Sequence, residues 1–240
     1  MADPRPRLLH LDSSAGPAAE SLTRRLTTLF ADIWCDRHGV DGYRHRDLAA
    51  DPVPPLGPAY VVLGRRLERC GVVPPEEVGA HTGTPDERRE WALTLPLIRE
   101  LRAAGTVLLG VPMYNFSVPA ALKAWIDRVT FPGAFLDPGT GGSALRHTRV
   151  VVVMARGGAY GPGTPRRAFD FQRPHLRAWF TEHGVAEENL HFVQAEMALA
   201  SLVPHLARFR DLADASLAQA RKELTELATR PPAVITKVRA

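Results

Sequence analysis

The stretch TVLLGVPMYNFSVPAALKAWIDRV, residues Thr106–Val129, carries the reading of the fold. Thr106 to Val111 is a nearly unbroken apolar run, the pattern of a strand buried on both faces. Pro112 to Ser117 then break the run as a loop. Val118, Leu122, Trp125, Ile126 and Val129 recur at helical spacing, so the chain leaves the loop into an amphipathic helix. Strand, loop and helix in immediate succession make half of a βαβ crossover.

The same alternation extends in both directions. Upstream, the short apolar run Leu8–Leu11 ends in the loop cluster Asp12-Ser13-Ser14-Ala15-Gly16-Pro17. Leu22, Leu26, Leu29, Phe30, Ile33 and Trp34 then predict a helix over about 21–38. Tyr43–Asp47 is a second strand candidate. Residues 52–83 are rich in proline and glycine, with a short helix near 60–69, and read as an excursion over one edge of a sheet. Thr84-Pro85-Asp86-Glu87 supplies a capping box with proline at the first helical position. Pro96 is expected to kink or interrupt the helix that follows. Downstream, Thr148–Met154 with its four consecutive valines is a central strand. A helix is expected around 171–183, a strand at Leu190–Gln194, and a last helix over about 204–227 with Leu206, Phe209, Leu212, Leu217, Ala220 and Leu224 inward. Five strands alternating with helices predict an α/β, flavodoxin-like doubly wound parallel sheet in the order 2-1-3-4-5. Residues 1–229 read as one domain and 230–240 as a basic tail.

Composition narrows the function classes. The 240 residues carry 30 Lys and Arg against 26 Asp and Glu, a net charge of +4, and 45% of them are hydrophobic. The arginines are scattered rather than gathered on one element, so nucleic acid is not an expected partner. The two cysteines, Cys35 and Cys70, stand apart without a CxxC, which argues against a disulfide framework or structural zinc. Neither a signal segment nor a run long enough to span a bilayer is found, and the expected location is cytoplasmic. No pair of the nine histidines has His-x-x-x-His spacing, so no metal is expected. There is no GxSxG elbow and no GxxxxGK[ST] phosphate loop. Gly139–Ala144 matches GxGxxA but precedes a strand instead of following one, and reads as a surface turn.

In an open α/β sheet the ligand lies beyond the carboxyl ends of the strands where the strand order reverses, here between the first and third strands. Three loops fall there. The first brings Ser13, Ser14, Ser21 and Thr23 to a helix N-terminus, a natural phosphate site, although Ser21 reads equally well as a plain N-cap. The second, Pro112-Met113-Tyr114-Asn115-Phe116, sets large apolar side chains beside one amide, as a flat heteroaromatic ring requires. In the third, Gly157 and Gly158 let backbone donors come close to a ligand. Together they suit a mononucleotide with a flat ring, and FMN fits.

At these loops the sequence resembles the FMN-dependent NADH-azoreductase and NAD(P)H–quinone reductase family, which has the flavodoxin-like fold. Val111 to Pro119, with Leu122 to Arg128, is similar to the family's central signature. Ala155-Arg156-Gly157-Gly158 is similar to its Ser-Arg-Gly-Gly loop, and Ser13-Ser14 with Ser21, Thr23 and Arg24 to its phosphate loop. The resemblance implies that Ser14, Ser21, Leu22 and Thr23 hold the FMN phosphate. It implies that Met113, Tyr114, Asn115 and Phe116 line the ring system, and that Ala155, Arg156, Gly157 and Gly158 meet its pyrimidine side. Tyr114, Phe116 and Tyr160 are the expected walls of the acceptor pocket. A homodimer with shared active sites is implied as well. The chain departs from the family pattern at Ala155, which stands for a serine, and at Asp137 and Glu182-His183, where aromatics are usual. The loop from Tyr160 to Pro174 is also longer.

The expected activity is a ping-pong transfer of two electrons from NADH or NADPH, through bound FMN, to a small acceptor such as a quinone or azo compound. No side chain is assigned as a catalytic acid or base. Two alternatives stand beside it: a specialised biosynthetic flavin reductase with one natural-product substrate, and a non-enzymatic flavodoxin-like electron carrier.

Overall fold

In the computed structural model, which describes residues 7–230, five strands form one parallel sheet. They are β1 (Leu8–Asp12), β2 (Tyr43–Asp47), β3 (Thr106–Pro112), β4 (Arg149–Ala155) and β5 (Leu190–Ala195). Their order is β2-β1-β3-β4-β5, as the alternation of strands and helices predicts. The helices are α1 (Leu22–His38), α2 (Pro58–Cys70), α3 (Pro85–Ala103), α4 (Ala120–Val129), α5 (Gln172–Glu182) and α6 (Arg210–Thr229).

Strand periodicity sorts the core into two layers. Leu9, Leu11, Val107, Leu109, Val150 and Val152 face one cluster, completed by α2, α3, α4 and α5. Leu8, Leu108, Val151 and Val153 face the other, completed by α1 and α6. Val150 to Val153 are fully buried, and at roughly 1.5–3 kcal/mol for each large aliphatic side chain they anchor the centre of the sheet. Residues 52–83 contribute Tyr60, Leu63, Leu67, Val73 and Val78 to the first cluster. Fully buried Arg128 holds this segment to α4: it pairs with Glu90 at 2.7 Å and donates to the carbonyls of Pro54 and Pro55.

Local expectations fail at two points. α3 runs unbroken through Pro96. Pro96 and Ala92, whose carbonyl loses its helical partner there, are both exposed, so water can serve the freed oxygen and the helix has no cause to stop. The capping box ahead of α3, by contrast, forms as expected, with Thr84 as N-cap and Pro85 at the first helical position. Thr84 Oγ1 accepts the N–H of Glu87 at 3.2 Å, while the Glu87 carboxylate accepts the N–H of Gly83 at 2.6 Å and pairs with Arg66.

The last helix is also shorter than its periodicity suggests. Residues 204–209 are 3₁₀ and the α-helix begins only at Arg210. Ala220, Leu224, Leu227 and Ala228 pack inward, whereas Leu212 is exposed and Leu206 and Phe209 are half-buried. Those three turn to a cleft described below. The basic tail expected over 230–240 lies, apart from Arg230, outside the described residues.

Candidate functional site

β1, β3 and β4 all end at one edge of the sheet, and their loops converge on a cleft of about 1250 Å³. The site residues expected from sequence line it, except Ser13 and Arg156.

The first loop forms a cluster of hydroxyls at the N-terminus of α1. Ser21 is the N-cap, accepting the N–H of Arg24 at 3.4 Å. Its hydroxyl also lies 2.9 Å from Ser14 Oγ and 3.1 Å from Thr23 Oγ1. Ser21 therefore caps the helix and also belongs to a group of hydroxyls set against the positive end of a 17-residue helix. Ser13 faces elsewhere, donating to the Gly110 carbonyl at 2.7 Å and fixing the loop to β3. Arg24 does not reach into the cleft. It grips Asp47 at 2.7 and 2.8 Å and the Ser14 carbonyl at 2.7 Å, tying β2 to the loop.

The second loop is a tight turn. Tyr114 and Ser117 exchange backbone hydrogen bonds at 3.1 and 3.0 Å, and Asn115 and Phe116 between them have φ of 47° and 71°. Positive φ at both central positions is the type I′ pattern, easy for asparagine and strained for phenylalanine. Phe116 is exposed and meets Phe169 and Tyr160 with ring centroids 5.6 and 6.5 Å apart. Tyr114 turns the other way and reaches the first loop.

The third loop is seated on the chain that leaves β5. Ala198 N–H donates to the Arg156 carbonyl at 2.9 Å and Met197 N–H to the Gly158 carbonyl at 3.3 Å. A Cβ on Gly157 would stand 2.7 Å from Cδ1 of exposed Leu199, so any larger residue there makes that side chain move. Arg156 is buried beneath the loop. It pairs with Asp170 at 2.9 Å and Glu196 at 3.5 Å and donates to Gln172 at 3.2 Å. Glu196 in turn accepts the N–H of Tyr160 at 2.8 Å. Arg156 thus shapes the loop from below without lining the cleft.

Sequence reasoning missed the far wall. Met197, Leu199, Leu202, Leu206, Phe209 and Leu212 line the cleft beyond β5. Apolar residues in an irregular segment after the last strand were the available signal. Asp137 and Glu182, the departures from family pattern, are not among the lining residues. Asp137 organises its own turn through Gly139 and Thr140.

A model of the flavodoxin-like fold family matches residues 6–226. The FMN-dependent NADH:quinone oxidoreductase of Nocardia farcinica is 43% identical over 215 residues, covering 90% of this chain and 94% of that protein. Its namesake from Frankia casuarinae is 38% identical, covering 90% and 95%. Among solved structures, an FMN-dependent NADH-azoreductase from Bacillus anthracis in complex with FMN aligns with a TM-score of 0.72, covering 93% and 98% of the two chains. At 18% identity that likeness is one of fold. The chain is a member of the flavodoxin-like fold family, within the group that contains these FMN-dependent NADH:quinone oxidoreductases.

Proposed function

We propose that the protein is an FMN-dependent oxidoreductase that passes two electrons from NADH or NADPH to a small acceptor, a quinone or an azo compound. One observation carries the reading. Loops from three separate strands meet at the β1–β3 switch point, with hydroxyls and a helix N-terminus at one end and aromatic and apolar walls along the rest.

The residues present fit FMN. Ser14, Ser21 and Thr23, with the free N–H groups at the start of α1, suit its phosphate. Met113, Tyr114, Asn115 and Phe116 would flank the ring system, and the Ala155–Gly158 backbone its pyrimidine side. Bound FMN supplies the two-electron chemistry, taking hydride from the nicotinamide and delivering electrons to the acceptor. The chain's part is to place and polarise: backbone N–H groups of the Asn115 and Gly157–Gly158 loops would offset negative charge on the reduced ring. Phe116, Phe169 and Tyr160 would form the acceptor wall and exclude water.

A homodimer is part of this reading. Phe171, Leu199, Leu202 and Leu212 are exposed, and three of the four line the cleft, so a second subunit has apolar surface to cover there. A cytosolic location suits an enzyme drawing on nicotinamide nucleotides; no helix among the described residues is long and apolar enough to cross a membrane.

The purified protein is expected to be yellow, to release FMN rather than FAD on denaturation, and to bleach rapidly when NADH is added without oxygen. Parallel double-reciprocal lines with a quinone acceptor would match the ping-pong order. A protein that takes up FMN but is not bleached by either nucleotide would refute the reductase reading.

A further inference from the structure

On the face of β1 that packs against α1, strand geometry gathers a second polar group. Residues at i and i+2 of a strand share a face, so His10 and Asp12 point the same way from β1. In the parallel register His10 lies directly beside His45 of β2, and the two imidazole centroids are 4.5 Å apart. Asp12 Oδ2 lies 3.3 Å from His10 Nε2 and 3.1 Å from His45 Nε2. The three donor atoms all fall within 4.8 Å of one another.

Two features set this group apart from a hydrogen-bonded cluster in a core. His45 Nε2 is hydrogen-bonded to Asp12 Oδ2, but His10, 2% exposed, has its Nε2 3.3 Å from that carboxylate without an aligned hydrogen-bond partner. Each buried donor is also oriented from behind. His10 Nδ1 lies 2.9 Å from the Tyr43 hydroxyl, and Asp12 Oδ1 accepts from Thr27 Oγ1 at 3.0 Å. Gly110 leaves the space that the carboxylate fills: a Cβ there would be 2.4 Å from Asp12 Oδ1.

We infer that His10, Asp12 and His45 form a binding site for a divalent transition-metal ion of the zinc type, with a fourth position open at the sheet edge. Ligands about 2.0–2.1 Å from a tetrahedral ion stand roughly 3.3–3.4 Å apart, close to the two separations found here. Two imidazoles and one carboxylate select zinc-like ions over calcium or magnesium, which take oxygen ligands. The Tyr43 contact leaves Nε2 as the ligating atom, with Nδ1–H donating to the phenol oxygen. His45, whose side chain is 39% exposed, opens the path from solvent. The nearest opposing charge is Arg24, its Nη1 3.9 Å from Asp12 Oδ2, but that guanidinium is already paired with Asp47. Asp12 directly precedes Ser13 and Ser14, so an ion here would stiffen the base of the hydroxyl loop. The site lies outside the cleft and does not depend on the flavin reading.

The test is calorimetric titration of untagged, chelator-treated protein with zinc chloride, run on the protein as purified whether or not it carries flavin. One zinc per chain is expected, together with a zinc-dependent rise in melting temperature. His45→Gln, at a half-exposed edge position, should weaken binding at least tenfold, and Tyr43→Phe roughly tenfold through loss of the contact behind His10. His147→Gln, at an exposed position elsewhere, should leave binding unchanged. Zinc-free melting curves establish that the variants are folded. No saturable binding, or binding that His45→Gln and His10→Gln leave intact, would overturn the site.

Discussion

The hydroxyl of Tyr114 accepts the backbone N–H of Ala15 at 3.2 Å and lies 3.5 Å from Ser14 Oγ, so the loop after β3 is latched to the loop after β1. The latch closes the crevice at its hydroxyl end and sets the spacing between the two loops. Tyr114→Phe should therefore loosen FMN by the worth of one hydrogen bond, about 0.5–1.5 kcal/mol, or a few-fold in Kd. Fluorescence titration of apoprotein reads this directly. An unchanged Kd would mean that the loops keep their spacing without the latch.

The hydroxyl cluster can be separated from helix capping. Thr23 Oγ1 is buried against Ser21 and does not cap α1. Thr23→Ala should weaken FMN by roughly 1.5–3 kcal/mol, the range for a hydrogen bond to a charged group. Binding of riboflavin, which lacks the phosphate, should hardly change. Equal losses for both ligands would place the phosphate elsewhere.

Gly157 tests how tightly the third loop rests on the chain after β5. Adding one methyl forces the exposed Leu199 side chain to move, at a cost below the roughly 1–3 kcal/mol of overpacking in a closed core. Gly157→Ala should lower stability and flavin affinity together, and Leu199→Ala in the same chain should restore much of both. Failure of the second change to rescue would mean that the glycine is needed for close approach to the ligand instead.

Much of this was legible in the sequence, for reasons that vary with the element. β3 and β4 announce themselves because strands covered on both faces read as apolar runs. β2, Tyr-Arg-His-Arg-Asp, has almost no apolar signal because it is an edge strand paired only with β1. The cleft residues could be named because loops at a topological switch point carry chemistry whatever their conformation. Arg156 could not be placed, since its partners Asp170, Gln172 and Glu196 come from later segments brought together only by folding. The far wall escaped for a similar reason: Leu206, Phe209 and Leu212 keep helical spacing, so periodicity assigned them to the core. Pairing across strands hid His10 and His45, which share no sequence spacing and meet only through the β1–β2 register.

Acid should expose one contact outside the site. The Arg66 guanidinium, with help from the N–H of Gly83, holds the Glu87 carboxyl at about 2 against an ordinary value of 4.5. Because the folded value lies below the unfolded one, the pair contributes stability fully above pH 4.5 and loses it as the pH falls toward 2. The contact matters to the fold because Glu87 also fixes Gly83 and the start of α3, which carries Trp91, Ile98 and Leu101 into the core. Urea midpoints measured from pH 7 downward should therefore fall more steeply for the native chain than for Glu87→Gln below about pH 5, with the two curves converging at the acid end. Parallel curves across that interval would show that the Arg66–Glu87 pair adds nothing to stability that depends on charge.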